Sequence, residues 1–240
     1  MLVENKFIYI SLPRCASTSF AISCAKNRLN VKTLINEHQI EYNNIDITLN
    51  NEIIADSFYH VHEPLDYLES KFGNNYEVIS VKRNRYQRFL SLWYHIIDEE
   101  NRTGLIENYN KLIKMDENDI FFDITPSDVL RDTHQEYVSH FIMKHKLIEY
   151  EGRLANMLSV LFLPCSTWHQ NNKKIIWFDI DKLYELEEWV SNKLNINFKL
   201  EKINSSKHVN GNLKMTDNFI EKYNTIYDRF DLTKTIKTLL

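Results

Sequence analysis

The sequence predicts an α/β chain, a three-layer sandwich built around a central parallel sheet, and three observations carry that expectation. Short apolar runs rich in Ile, Val and aromatic residues recur at Lys6–Ser11 (KFIYIS), Glu77–Lys82 (EVISVK) and Lys173–Asp179 (KKIIWFD). Each precedes a stretch with helical spacing of apolar residues. Strands that alternate with helices pair in parallel and are covered on both faces. Taking the elements in order, Pro13 ends the first strand, and Ser17 to Leu29 reads as a helix with Phe20, Ile22, Ala25 and Leu29 on its inner face. Phe58–His62 reads as a further short strand. The helix after Lys82 extends to about Glu100, with Tyr86, Phe89, Leu92 and Trp93 facing the core. Thr125 as N-cap, Pro126 in the first turn and Asp128 at the capping-box position start another, which runs to about Lys146. Ile180 to Leu194 follows the third strand as a helix, and a last helix begins near Thr216.

Length and composition bound the class. The chain has 240 residues, 43% of them hydrophobic, 26% charged and 12% aromatic, which suits one domain over 1–240 and excludes disorder, collagen and a coiled coil. A net charge of −4 argues against a general nucleic-acid grip. The apolar run from Met157 to Cys165 is broken by Ser159 and ended by Pro164, too short to span a bilayer. Nothing in MLVENKFIYIS reads as a signal peptide. Cys15, Cys24 and Cys165 are odd in number and without metal-ligand spacing, so a reduced, cytoplasmic setting is expected.

Two segments carry the clearest chemistry. Ser11-Leu-Pro-Arg-Cys-Ala-Ser-Thr-Ser19 lies between a strand and a helix. A helix start offers backbone N–H groups and a positive dipole end to an anion. Ser17, Thr18 and Ser19 add hydroxyls, and Arg14 adds a forked cation. An ordinary Ser/Thr-capped helix would look the same, and the GxxxxGK[ST] pattern of a Walker loop is absent. The second segment, Val81 to His95, carries Lys82, Arg83, Arg85 and Arg88 within seven residues and no acid among them. Cations at a helix start oppose the local dipole, which a bound anion would relieve; a solvated basic face is the alternative. Arg83 at the strand end and Ser91 two turns into the helix could address one phosphate.

Together the two segments resemble the P-loop-type sulfotransferases that use 3′-phosphoadenosine 5′-phosphosulfate (PAPS). Pro13-Arg14-Cys15-Ala16-Ser17-Thr18 fits that family's Pro-[Lys/Arg]-x-[Gly/Ala]-[Ser/Thr]-Thr loop for the 5′-phosphosulfate. Arg83-Asn84-Arg85-Tyr86-Gln87-Arg88-Phe89-Leu90-Ser91 fits the 3′-phosphate segment, except that Arg85 replaces proline. Trp93 stands where the pattern has tyrosine. The resemblance implies a P-loop NTPase-like fold, PAPS as donor with the bisphosphate PAP as product, and no metal. It implies cofactor contacts from Arg14, Cys15, Ala16, Ser17, Thr18, Ser19, Arg83 and Ser91.

Tyr59-His60-Val61-His62-Glu63-Pro64 lies between these segments. Two histidines at i and i+2 on a strand share a face and would suit a metal, but no third ligand stands at a supporting interval. A histidine near pKa ~6.5 is matched to taking a proton from an alcohol. The resemblance to the family's [Lys/Arg]-x-His-x-Pro segment implies His62 as general base, His60 as a basic helper and Glu63 as the rival base. Asn204-Ser205-Ser206-Lys207 and Tyr227-Asp228-Arg229-Phe230 resemble late segments of the carbohydrate and tyrosyl-protein branches, with Lys207 as a further 3′-phosphate contact. Ser19 replaces the adenine-stacking tryptophan of the cytosolic small-molecule branch, and that branch's Arg-Lys-Gly segment is missing.

The expected activity is sulfuryl transfer from PAPS to a hydroxyl of a carbohydrate, a protein tyrosine or a small molecule, with no nucleic-acid or membrane partner. The domain is either a bare cytosolic catalytic unit or one trimmed from a membrane anchor. Two other classes stay open: a metal-dependent kinase-like phosphoryl transferase, with Asp179 and Asp181 as metal ligands, and a non-catalytic nucleotide-binding module. Strand-end and helix-cap roles for the two aspartates compete with the first of these.

Overall fold

The computed structural model describes residues 1–35, 38–42, 62–102, 104–120, 134–169, 174–201 and 213–230. The chain, read above as one domain, gathers into two compact units, each drawn from two stretches: Met1–Arg83 with Cys165–Ser205, and Asn84–Pro164 with Ser206–Leu240.

The first unit is α/β. Its elements are strands β1 (Leu2–Val3) and β2 (Phe7–Ile10), helix α1 (Ser17–Lys26), strands β3 (Val31–Ile35) and β4 (His38–Tyr42), helix α2 (Leu65–Phe72) and strand β5 (Glu77–Lys82). After the second unit's first stretch, the chain returns through a short helix at Ser166–His169, strand β6 (Ile175–Asp179), a 3₁₀ turn at Ile180–Lys182 and a helix at Leu183–Leu194. Numbered along the chain, these two helices are α8 and α9. The sheet order is β4-β3-β1-β2-β5-β6. Only β2, β5 and β6 run parallel, which corrects the expectation of a parallel sheet: β1 pairs antiparallel with β2 and β3, and β3 with β4.

The antiparallel half originates in a tight hairpin whose loop is Glu4 to Lys6. Glu4 and Asn5 both take positive φ (50° and 51°), and the Lys6 N–H closes the turn on the Val3 carbonyl at 2.9 Å. Positive φ at both central positions is the type I′ geometry that matches strand twist. Helix α1 stops at Lys26, three residues before the expected end. Arg28 turns left-handed (φ 54°), and the N–H groups of Arg28 and Leu29 bond the carbonyls of Ala25 and Cys24. That Schellman closure satisfies the last carbonyls. Phe58–Val61 and the helix start at Thr125–Asp128 lie outside the described residues.

Helices flank both faces of the parallel strands. Alternation along β2 puts Phe7 and Tyr9 on one side. Phe20 of α1 stacks on Tyr9 with centroids 4.0 Å apart, and Trp189 of α9 meets Phe7 edge-on at 5.0 Å. On the opposite side, Trp177 of β6 takes the edge of His169 from α8 at 5.2 Å. Among the described residues no helix is long and apolar enough to cross a membrane.

The second unit is helical: α3 (Arg85–Arg102), α4 (Ile106–Leu112), α5 (Glu117–Ile120), α6 (His134–Lys144), α7 (Arg153–Phe162) and α10 (Asp217–Phe230). Phe89, Leu92 and Trp93 are buried in its core as expected, with Phe89 packed between Phe219 (5.1 Å), Tyr223 (4.9 Å) and Phe162 (6.0 Å). Met157–Phe162, read only as a broken apolar run, is the last part of α7. Opposite charges hold the two ends of that helix. The Glu149 carboxylate accepts the N–H groups of Leu154 and Ala155 at 3.1 and 3.0 Å. The fully buried Arg88 guanidinium donates to the Leu163 and Val160 carbonyls at 2.9 and 3.3 Å. Both signs complement the helix dipole.

Replacing Arg88 by Met takes the charged donor from two part-buried carbonyls, so urea unfolding should show a loss of roughly 2 kcal/mol; an unchanged midpoint contradicts this role. Glu100 is buried, accepts a bond from Asn108 at 3.2 Å, and burial raises its pKa. A carboxyl with a raised folded pKa lends stability below its unfolded pKa that is lost as pH rises through the folded value. Glu100→Gln should therefore gain melting temperature over wild type as pH rises from about 4 to 7. A difference that is flat with pH would contradict this account.

Candidate functional site

The loop from Ser11 to Ala16 joins β2 to α1 and is held from beneath. The Ile10 carbonyl accepts the Ser80 hydroxyl of β5 at 2.9 Å, and the Tyr9 hydroxyl donates to the Cys15 carbonyl at 3.2 Å. Burial raises the pKa of Tyr9, so it stays a donor. Within the loop the Cys15 N–H reaches the Leu12 carbonyl at 3.2 Å. Arg14 and Ala16 both adopt left-handed backbone, φ 63° and 60°. A non-glycine residue there costs about 1–2 kcal/mol, and such costs concentrate where backbone groups are aimed at a ligand. Ala16 is the N-cap of α1, Phe20 N–H closes the first turn on its carbonyl at 2.9 Å, and Ser17, Thr18 and Ser19 form that turn. The side chains of Cys15 and Ser17 are buried; Arg14, Thr18 and Ser19 are half-exposed.

Two distant segments reach this loop. Arg83, just past β5, donates Nη1 to the Arg14 carbonyl at 3.0 Å. Its Nε is buried without a hydrogen-bond partner among the described residues, and so is the Ser11 hydroxyl. His62 places Nδ1 2.7 Å from the Ser11 carbonyl. A carbonyl can only accept, so Nδ1 carries the hydrogen, and Nε2 is the basic nitrogen of the neutral ring. The indole Nε1 of Trp168 donates to the His62 carbonyl at 3.0 Å. Arg14, Arg83 and His62, assigned from three separate segments, thus belong to one loop environment in the first unit.

The neighbouring Glu63 is buried, and its carboxylate favours the charged form of the Met1 amine, whose pKa burial nevertheless pushes down to about 5. Ser91 is half-buried on α3 of the second unit. His60 and Lys207 lie outside the described residues.

The basic run at 82–88 divides by role. Lys82 is exposed. Arg85, which replaces the expected proline, pairs with Asp228 at 3.4 Å and lies over the rings of Tyr86 and Tyr227. Arg88 is the buried helix clamp described above. These partners explain much of the clustering without an anion, and Arg83 is the cation of the run that meets the loop. Asn84 caps α3, its Oδ1 accepting the N–H of Tyr86 at 3.0 Å. Asp179 caps the 3₁₀ turn by accepting the Asp181 N–H at 3.0 Å, the capping role weighed above.

Trp168 and the Ser11 carbonyl were absent from the sequence-derived site. A backbone acceptor leaves no mark in a sequence, and Trp168 stands 106 residues from His62.

The strain at Ala16 has a direct consequence. Ala16→Gly should leave the melting temperature unchanged or raise it, whereas Ala16→Val should cost about 1–2 kcal/mol. Equal melting temperatures for both variants would remove the left-handed turn from the account. Compared with protein-family models, curated proteins and solved structures, the chain matches none.

Proposed function

We propose that the chain is a PAPS-dependent sulfotransferase on a P-loop-like α/β fold, acting on a hydroxyl acceptor in the reducing cytoplasm. The observation that carries the reading is the hydrogen bond from Arg83 to the Arg14 carbonyl, which joins the two phosphate-type segments across 69 residues. The donor set also suits a polyanion: Arg14 and three consecutive hydroxyl residues at a helix start, no carboxylate between Ser11 and Ser19, and a buried Arg83 Nε with no hydrogen-bond partner among the described residues. Three cysteines, odd in number and without metal-ligand spacing, support the choice of a reducing compartment.

When bound, PAPS supplies the sulfuryl group that passes to the acceptor oxygen. In this reading Arg14 and the first turn of α1, Ser17 to Ser19, hold the 5′-phosphosulfate and neutralise charge that grows on the leaving oxygen. Arg83 holds the 3′-phosphate, and the family resemblance is the ground for adding Ser91 and Lys207 to its contacts. His62, with Nε2 as its basic nitrogen, takes the acceptor's proton. Acceptors are hydroxyls of sugars, protein tyrosines or small molecules.

Calorimetric titration with 3′,5′-adenosine bisphosphate, with ADP as comparison and no metal added, tests the reading. Tight binding of the bisphosphate and weak binding of ADP is the expected result. Equal or Mg²⁺-dependent binding of ADP, or binding of neither, would sink it. Arg14→Ala should then lower kcat roughly 100- to 1000-fold, while His62→Ala keeps nucleotide affinity and loses turnover.

A further inference from the structure

The segment that carries His62 is tied down at three points. Its backbone carbonyl receives the indole N–H of Trp168 at 3.0 Å, and its ring seats Nδ1 on the Ser11 carbonyl at 2.7 Å. Two residues on, Pro64 becomes the N-cap of α2, and α2 packs against α8, the helix that carries Trp168. Trp168 is itself 5% exposed, and its backbone N–H closes on the Cys165 carbonyl at 3.0 Å, so a held main chain and a packed ring position the indole. On the other side, Ser11 directly follows Ile10, whose carbonyl is held by Ser80. Both of His62's anchors are therefore attached to packed elements.

We propose that Trp168 is a positioning residue for His62: its indole N–H fixes the His62 backbone so that Nδ1–H seats on the Ser11 carbonyl and Nε2 is the proton-accepting nitrogen. The catalytic part of this inference rests on the reading of His62 as general base; the tautomer part does not. In water a neutral imidazole favours the hydrogen on Nε2, which would leave the wrong nitrogen basic. Hydrogen bonding of one ring nitrogen selects the tautomer and the orientation of the other. The Ser11 carbonyl makes that selection only while the backbone of His62 stays within reach, and the indole maintains the reach. The mechanism moves no electrons; it presets which nitrogen receives the acceptor's proton.

The test uses the full chain with ¹⁵N-labelled histidine, His62 being assigned by its loss in His62→Gln. Wild type should show a protonated, pyrrole-type Nδ1 and an imine-type Nε2 for the neutral ring. Trp168→Phe should lose that bias toward a mixture of tautomers. Formation of 3′,5′-adenosine bisphosphate from PAPS, with 4-nitrophenol and N-acetylglucosamine as acceptors, should fall about 10- to 100-fold in kcat with an unchanged KM for PAPS. Should Trp168→Phe fail to fold, site-specific replacement of the indole by its sulfur isostere, benzothiophene, removes the N–H while keeping the ring shape.

A wild-type ring with hydrogen on Nε2, or variants that retain both the Nδ1–H signature and turnover, overturns the proposal. The Nδ1–H signature lost in the variants of a protein that makes no bisphosphate from PAPS supports the clamp and counts against the sulfotransferase reading alone.

Discussion

The carbonyl oxygens at the end of β2 and in the short loop that follows organise the first unit. Ile10, Ser11 and Arg14 each turn a carbonyl toward a side chain from elsewhere in the chain: Ser80, His62 and Arg83 respectively. Backbone acceptors released at the end of β2 must find donors once water is excluded. The partners they find carry hydroxyl, imidazole and guanidinium groups. Strand β5 and the residue just past it supply two of the three, Ser80 and Arg83, which ties the loop to the sheet on the side where β2 and β5 pair in parallel. The left-handed turns at Arg14 and Ala16 are the conformational cost of presenting these carbonyls while α1 begins.

In the second unit a similar economy governs the ends of α7. Its N-terminus meets the Glu149 carboxylate and its C-terminus the Arg88 guanidinium, so full burial of that arginine is offset by two carbonyl bonds and a favourable dipole. Arg85 is absorbed by Asp228 and the Tyr86 and Tyr227 rings. The basic run therefore combines structural arginines with Arg83, whose guanidinium meets the loop. Charge density alone is a poor guide to an anion site when helix ends also recruit cations.

Much of the framework was legible beforehand. Runs such as FIYI and EVISVK have too many β-branched and aromatic residues to be anything but buried strands, and β2 and β5 appear within a residue of the expected bounds. Helix α3 was readable from the spacing of Tyr86, Phe89, Leu92 and Trp93. The antiparallel edge was not. Strand β1 has two residues, its turn uses Glu4–Asn5 rather than a glycine pair, and β3 follows with no alternation strong enough to separate it from a loop. Helices α2 and α4, of 8 and 7 residues, are too short for a periodic signal to build up.

The sequence by itself determined the local chemistry: a strand, a serine-rich helix start behind Arg14, a second strand ending in Arg83, and a His-Glu-Pro segment between them. Those are short-range properties, fixed by side-chain type and spacing. Tertiary structure alone decided which of these groups meet and in what protonation pattern. Separations of 51, 69 and 106 residues are closed by bonds that use backbone carbonyls at one end. A carbonyl is common to every residue, so no residue code announces its role. Only the folded path of the chain selects the Ser11 oxygen for the ring of His62, and with it the nitrogen that can act as a base.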